Sequence, residues 1–434
     1  MTTVVEHPAV TERISMWLGS LPTGWTGARL FEVADAWTSN VDKHSVDGEP
    51  AVRLANYVDV YHNDSIVGSL NFMSATATRE QIKRFRIRLG DTLITKDSET
   101  ADDIGIPAFV EYEADDLICG YHLAIVRPAP EKVVPKFLYW ALRSAPIARQ
   151  WEVLASGVTR VGIRSTDLDK VTIPRPPLNE QRAIADFLDH ETAQIDTLVA
   201  KQEEFVALLR ERRLSQTADV LAALGEPDTQ LRRVARIQTG VTLSGDGNPS
   251  FPLWPYLRVA NVQMGHVDLT EVKEIHLSAR EAAASMLRPG DVLMTEGGDI
   301  DKLGRGTVWD GRISPMIHQN HVFAVRADPA MLVPEYLARL LDSPTAREYF
   351  YRTAKKTTNL ASTNKTIVGR LPMRVPSIRE QHAAVDDLDE QTARIDALIA
   401  RAQEHISLAK ERRAALITAA VTGQFDVHTA RKAS

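Results

Sequence analysis

The feature that most constrains this chain is a repeat. Residues 176–213 (PPLNEQRAIADFLDHETAQIDTLVAKQEEFVALLRERR) align without a gap with residues 376–413 (PSIREQHAAVDDLDEQTARIDALIARAQEHISLAKERR), and 18 of 38 positions are identical. Self-similarity at a fixed offset means that one structural unit has been used twice. A fainter echo surrounds it: Gly90-Asp91 matches Gly290-Asp291, His122 and Arg127 match His321 and Arg326, and Val134-Pro135 matches Val333-Pro334. The long segments have diverged further than the short ones. The chain therefore reads as A–h–A′–h′, with segments 1–175, 176–225, 226–375 and 376–425 and a tail at 426–434.

The short segments read as helices. Neither holds a Pro or Gly between Asn179 and Leu224 or between Arg379 and Thr422, and Pro176, Pro177 and Pro376 precede them while Gly225 and Gly423 follow. Those are helix start and stop signals. Glu180 and Glu380 fall in the first turns, where the helix dipole favours an acid. Apolar residues recur at three and four: Ile184, Leu188, Ile195, Leu198, Phe205 and Leu209 in one, and Ala384, Leu388, Ile395, Leu398, Ala409 and Leu416 in the other. This is coiled-coil spacing, interrupted at Glu191 and Gln202. Helices of about 45 residues run to about 65–70 Å, longer than a compact domain requires. Neither buries its stripe alone, so the simplest solution is an antiparallel pair.

The long segments read as mixed α/β. Residues 91–95, 123–128, 291–295 and 321–327 look like strands, and 135–151 and 334–352 like helical stretches. The expected class is α+β: two globular mixed domains separated by two long helices that form an antiparallel coiled coil with pseudo-twofold symmetry.

Bulk composition narrows the function. A chain of 434 residues exceeds one ordinary core. The lone cysteine, Cys119, rules out an internal disulfide and fits a reducing cytoplasm. The N-terminal stretch, with Glu6 and Glu12, lacks the apolar run of a signal peptide or membrane span. The net charge of −6 first argues against nucleic acid, but it is uneven: residues 1–175, 176–225, 226–375 and 376–434 carry −4, −4, +3 and −1.

Catalytic motifs fail on inspection. There is no GxxxxGK[ST] loop for a nucleotide. Asn248-Pro249-Ser250-Phe251 resembles an amino-methyltransferase loop but lacks its second proline, and reads as a turn. Asp228 with Glu271-Val272-Lys273 mimics a nuclease signature, yet Asp228 falls in a linker. His318 and His321 lack a ligand partner at matching spacing and read as core or surface histidines.

Basic runs remain. Arg79, Lys83, Arg84, Arg86 and Arg88 crowd into ten residues. In A′, Arg347, Arg352, Lys355, Lys356 and Lys365 interleave with Thr357, Thr358, Asn359, Thr363 and Asn364; the matching stretch of A holds Arg160 and Arg164. Lys302 and Arg305 lie in a glycine-rich segment, GGDIDKLGRG. Lys and Arg suit phosphates, and Asn, Thr and Arg can reach base edges. These are the candidate DNA contacts; solvated faces and a plain hairpin loop are the bland readings.

Two variable domains, each followed by a long helix opening on Pro-x-x-x-Glu-Gln, resemble the specificity subunit of Type I restriction–modification systems. Leu21-Pro22-x-Gly24-Trp25, the Gly-Asp-x-Leu stretches at 90–93 and 290–293, and SGVTRVGIRSTDLDKVTIPRPPLNEQ (156–181) are similar to family phrases. The second copy departs at Pro376-Ser377, where the double proline is lost. The resemblance implies that each domain reads one half of a split site on double-stranded DNA. It implies that the helices set the spacing, and that residues 180–213 and 380–413, including Gln181 and Gln381, dock two methyltransferase subunits. Two restriction subunits would join. The chain itself would hold no catalytic residue, metal or cofactor, with S-adenosylmethionine, ATP and Mg²⁺ on the partners. The alternative is a coiled-coil adaptor without DNA specificity; a cryptic nuclease is the remote one.

Overall fold

Both repeated segments are single unbroken helices, Leu178–Ala223 and Ile378–Val421. At 46 and 44 residues they are about 69 and 66 Å long. The computed structural model describes residues 16–243, 247–298, 303–356 and 361–430. The chain divides into two compact units, Met1–Lys201 with His405–Ser434, and Gln202–Glu404. Each unit thus holds one globular domain with half of each long helix.

Within each unit the two helix halves run antiparallel. In the first, Asp196 meets Arg413 while Phe187, earlier in its helix, meets Phe425 beyond the end of the other. In the second, Arg213 meets Asp396, and Val220 and Leu221 join Ala384 and Val385 in one core. The buried positions of the first helix follow alternating steps of four and three: Leu188, Thr192, Ile195, Val199, then Val206 and Leu209, with Gln202 half-buried between. The second helix repeats this with Leu388, Thr392, Ile395 and Ala402. That is a heptad seam, the 3.5-residue period of a supercoiled pair.

The seam corrects three residues of the sequence reading. Leu198 is 51%, Phe205 42% and Leu398 42% exposed. From Ile195, a step of three leads to the large Leu198, whereas the heptad takes a step of four to the smaller Val199. Phase decides burial, and side-chain size misleads.

Gln181 and Gln381 are not on the surface at all. Gln181 is 1% exposed; its Oε1 accepts a hydrogen bond from the Val134 amide at 2.8 Å and its Nε2 donates to the Pro176 carbonyl at 2.8 Å. Gln381 repeats the pattern, accepting from the Val333 amide and donating to the Pro376 and Met331 carbonyls, each at 2.8 Å. Each glutamine therefore ties the start of a long helix to the loop before a short helix of its domain. Two turns on, Asp189 accepts from the Trp140 indole at 2.7 Å, and Asp389 pairs with Arg339. The lost proline of the second copy also has a role. The Ser377 hydroxyl accepts from the Glu380 amide while Glu380 accepts from the Ser377 amide at 2.9 Å, a capping box. Those hydrogen bonds from Ser377 hold the Glu380 carboxyl below its ordinary range.

In the first domain the elements used below are β1 (Thr26–Arg29), β2 (Ala34–Thr38), β3 (Ser65–Ile66), α1 (Arg79–Phe85), β4 (Thr92–Thr95), β5 (Asp97–Ser98), β6 (Pro107–Val110) and β7 (Leu123–Pro128). They continue with α2 (Pro135–Arg143), α3 (Ala145–Leu154), β8 (Val161–Gly162) and β9 (Thr172–Arg175). The main sheet has the order β2-β7-β4-β6-β3, and its central strands β4 and β7 are buried along most of their length. A second sheet joins Ala51–Ala55 to Met73–Thr76 and Leu117–Cys119. The outer pair β1–β9 leads into the first long helix.

The second domain uses the same plan. It holds β10 (Thr229–Gln230), β11 (Ala235–Thr239), α4 (Ala279–Ala284), β12 (Val292–Thr295), β13 (Gly297–Gly298), β14 (Gly306–Val308) and β15 (Val322–Ala327). After these come α5 (Pro334–Leu341), α6 (Pro344–Thr353), β16 (Lys355–Lys356), β17 (Ala361–Ser362) and β18 (Pro372–Met373). Its main sheet is β11-β15-β12-β14, and β10 pairs with β18 as β1 does with β9.

The stretches read as one helix each, 135–151 and 334–352, are pairs of helices. Ser144 is extended, at φ −74° and ψ 148°, two residues before Pro146, and Ser343 is extended immediately before Pro344. Proline lacks the amide a continuing helix needs, and it restricts the residue before it.

Matched details fix the correspondence between the domains. Arg127 forms a two-pronged pair with Asp91 (2.8 and 2.6 Å), and Arg326 one with Asp291 (2.7 and 2.6 Å). Gly105, at φ +77°, lies under Trp151 so that a Cβ would come within 2.3 Å of the ring. Gly304, at φ +76°, lies equally close under Phe350. Cys119 is fully buried, as a small hydrophobe should be.

Candidate nucleic-acid interface

The candidate cations of the first domain come from two elements that flank the end of β2. Helix α1 is fixed by a capping box, with the Thr78 hydroxyl accepting from the Gln81 amide at 3.2 Å. Gln81 also donates to the Asn40 side chain at 3.3 Å, just beyond β2. The heptad-independent short helix points Arg79, Lys83 and Arg84 to solvent, while Phe85 is buried. Among the described residues no carboxylate lies within ion-pair reach of these three. Arg86 differs: it is half-buried and pairs with Asp115 at 2.7 Å.

The other element is a two-stranded ribbon, in which Ser98 faces Val161 and Asp97 faces Gly162. Ser156 and Gly162 exchange backbone hydrogen bonds at 3.1 and 3.0 Å, closing a tight loop. Gly157, at φ +145°, is required there because a Cβ would fall 2.0 Å from the Arg160 carbonyl oxygen. The tip residue Val158 is fully exposed, and Arg160 and Arg164 are exposed beside it. The Thr38 and Ser165 hydroxyls, 2.6 Å apart, bind the ribbon's foot to β2.

Neutral and paired groups around this ribbon escaped the sequence reading. The Tyr57 hydroxyl is pushed up by burial and bonds Ser98, with Arg160 close enough to oppose the shift. Asp97 accepts from Lys96 and from His122 Nδ1, both at 2.9 Å. Burial raises the Asp97 carboxyl, but those two partners outweigh it and leave it below the ordinary range. Exposed Tyr121 lies under Lys96, 4.5 Å from ring centre to Nζ. No sequence spacing links residues 57, 97, 121 and 160; only the long-range pairing does.

In the second domain the fold joins the glycine-rich segment and the lysine cluster in one small sheet, β13-β17-β16. Gly297 faces Ser362, and Lys355 faces Ser362 from the other side. Lys355, Lys356 and Lys365 are exposed, and Lys356 sits 3.6 Å above the exposed Tyr351 ring. His321 Nδ1 meets Glu296 at 2.8 Å, a contact of the same kind as His122 with Asp97, although Glu296 stands in the place of Lys96. Lys302 and Asn359 lie outside the described residues. Arg305 is half-buried, and its charge acts on Asp342, whose carboxyl is pushed up by burial against the pull of nearby arginines.

The decoy motifs resolve into ordinary structure. Asn248 caps a turn, accepting from the Ser250 amide at 3.0 Å. Asp228 pairs with Arg374, and Glu271 with Arg258 at 3.2 Å. His318 is fully buried with Nδ1 at 2.7 Å from the Val322 carbonyl. Among the described residues no cluster of three or more potential metal ligands occurs.

Residues 60–205 match the Type I restriction modification DNA specificity domain. The chain is 24% identical over 411 residues to the Type I restriction enzyme EcoKI specificity subunit of Escherichia coli strain K12, covering 88% of this chain and 85% of that one. It is similar to the Type I specificity subunits along most of its length. The StySPI specificity subunit of Salmonella potsdam is 21% identical over a similar span, 88% of this chain and 84% of that one. The fold agrees with a solved chain from a study of complex assembly and conformational transition of the type I R-M system. It superposes with a TM-score of 0.67 at 20% identity, covering 94% of this chain and all of that one. No helix among the described residues of this chain is long and apolar enough to cross a membrane.

Proposed function

We propose that this specificity subunit reads a bipartite, asymmetric site on double-stranded DNA, one half-site per globular domain. The observation that carries this reading is the contrast between duplicated scaffold and unlike surface. The Asp–Arg pairs, the glycine-under-aromatic contacts and the buried glutamines recur in both domains, while the exposed α1, α4 and ribbon side chains do not. One fold with two surfaces suits two different half-sites.

The helix pair sets the unread gap and docks two methyltransferase subunits. Its outward faces support docking: Leu198 and Leu398 are 51% and 42% exposed, and Leu208 and Leu408 are 56% and 53% exposed, at equivalent places in the two repeats. Symmetric apolar positions on a solvated helix favour two equivalent partners. The chain carries no catalysis of its own. Methyl transfer with S-adenosylmethionine and cleavage with ATP and Mg²⁺ belong to the methyltransferase and restriction subunits, in the cytoplasm. The negative net charge is tolerable because partner subunits share the neutralisation of phosphates.

Selection of duplexes from a random pool by the chain with its methyltransferase subunits tests the reading. Enrichment of two fixed half-sites at one spacing supports it. Recovery of the pool without sequence preference would leave only a protein-binding adaptor.

A further inference from the structure

The two domains correspond residue by residue at the candidate interface. Arg86 bridges to Ile118 after α1 as Met286 bridges to Ile317 after α4. In the ribbons, Asp97 faces Gly162 as Gly297 faces Ser362, and Ser98 faces Val161 as Gly298 faces Ala361. An offset of 200 therefore holds in space as well as in sequence for both elements.

The scaffold charges are kept, at an offset of 200 or, for Arg127, of 199. Asp91 and Arg127 recur as Asp291 and Arg326, and both Asp–Arg pairs of the long helices recur. Most exposed candidate cations that lack a carboxylate partner among the described residues are not kept, Arg88 with Arg288 being an exception. Arg79, Lys83 and Arg84 of α1 correspond to Ala279, Ala283 and Ala284 of α4, which are also exposed. Lys355, Lys356 and Lys365 correspond to Ala155, Ser156 and Ser165, while Arg160 and Arg164 correspond to Leu360 and Asn364. Each of these eight cations thus corresponds to a neutral residue in the other domain, and α4 keeps a single exposed cation, Arg280, where α1 has Glu80. Burial and pairing explain the kept charges; neither explains why α1, with the same capping box as α4, carries three free cations.

We infer that the two domains grip the DNA backbone through different elements of the same fold. The first uses α1 as a phosphate clamp that the second lacks, and the second uses the foot of its ribbon. This rests on the DNA-reading function proposed above. Each phosphate neutralised releases counterions, so the clamps are visible in salt dependence.

The test is binding of the full chain, with its methyltransferase subunits, to a labelled random-sequence duplex across a potassium chloride series. R79A/K83A/R84A gives the first domain the alanines of α4. It should weaken binding to all sequences alike and flatten the slope of log K against log salt by about 2 to 3. K355A/K356S/K365S should flatten it similarly. The reciprocal variant A279R/A283K/A284R places cations on exposed positions and should steepen the slope, a gain that misfolding cannot produce. If the unaltered complex binds DNA and all three variants keep its slope, the clamps are refuted while DNA reading stands. If the unaltered complex binds no DNA, the function itself fails and the clamps with it.

Discussion

Arg413 of the second long helix lies 2.9 Å from Asp196 of the first, and in the other unit the equivalent Arg213 lies 2.9 Å from the equivalent Asp396. The same two residue types of one repeat thus pair reciprocally, the signature of a self-complementary interface. Arg413 reaches further: it also pairs with Asp64 of the globular domain, which Arg143 holds at 2.7 Å, and its guanidinium approaches the Trp140 ring. Arg213 has its counterpart in the charge it exerts on buried Asp342. One arginine per unit therefore pairs with the partner helix and acts on a carboxylate of the globular domain.

Arg413→Ala should destabilise the first unit by about 1–3 kcal/mol, below the figure for a fully buried pair because Asp64 and Asp196 are partly solvated. Urea unfolding measures it. A double-mutant cycle with Asp196→Ala should return a coupling of about 0.5–1 kcal/mol. Strict additivity would mean that the pair is incidental.

Gln381→Ala should cost about 2–4 kcal/mol, because the Val333 amide and two carbonyls lose their buried partner. Gln381→Glu should not rescue it, since a carboxylate cannot donate to the Met331 and Pro376 carbonyls. Thermal melts of both variants check this. Rescue by Glu would show that only the amide contact matters.

Much of the fold was legible because the repeat constrains it. A run of 46 residues without Pro or Gly, with apolar residues recurring at three and four between helix start and stop signals, reads as a helix. The phase of the seam was less legible, since Leu198 and Phe205 outweigh Val199 and Val206 in hydrophobicity while the heptad selects the valines. The repeated glutamines are assigned to docking only through the family resemblance, and the sequence pattern carries no sign of their burial. Their burial depends on two loop amides about 48 residues away in sequence. The ribbon was invisible for the same reason: Asp97 and Gly162 meet only through the fold.

The seam and the outward face should separate cleanly in mutants. Val199→Asp puts a charge into the helix interface and should lower the melting temperature by several degrees. Leu198→Asp should leave the melt within about 0.5 kcal/mol of the parent, yet weaken co-purification of the methyltransferase subunit. Equal melts for the two variants would contradict the register described here.

The central claim is that two unlike readers on one duplicated scaffold recognise one split site. Methylome sequencing of a host carrying this subunit with its methyltransferase partners tests it most directly. A single asymmetric motif, two different half-sites across a fixed unread gap, is the predicted result. A contiguous or palindromic motif would contradict it.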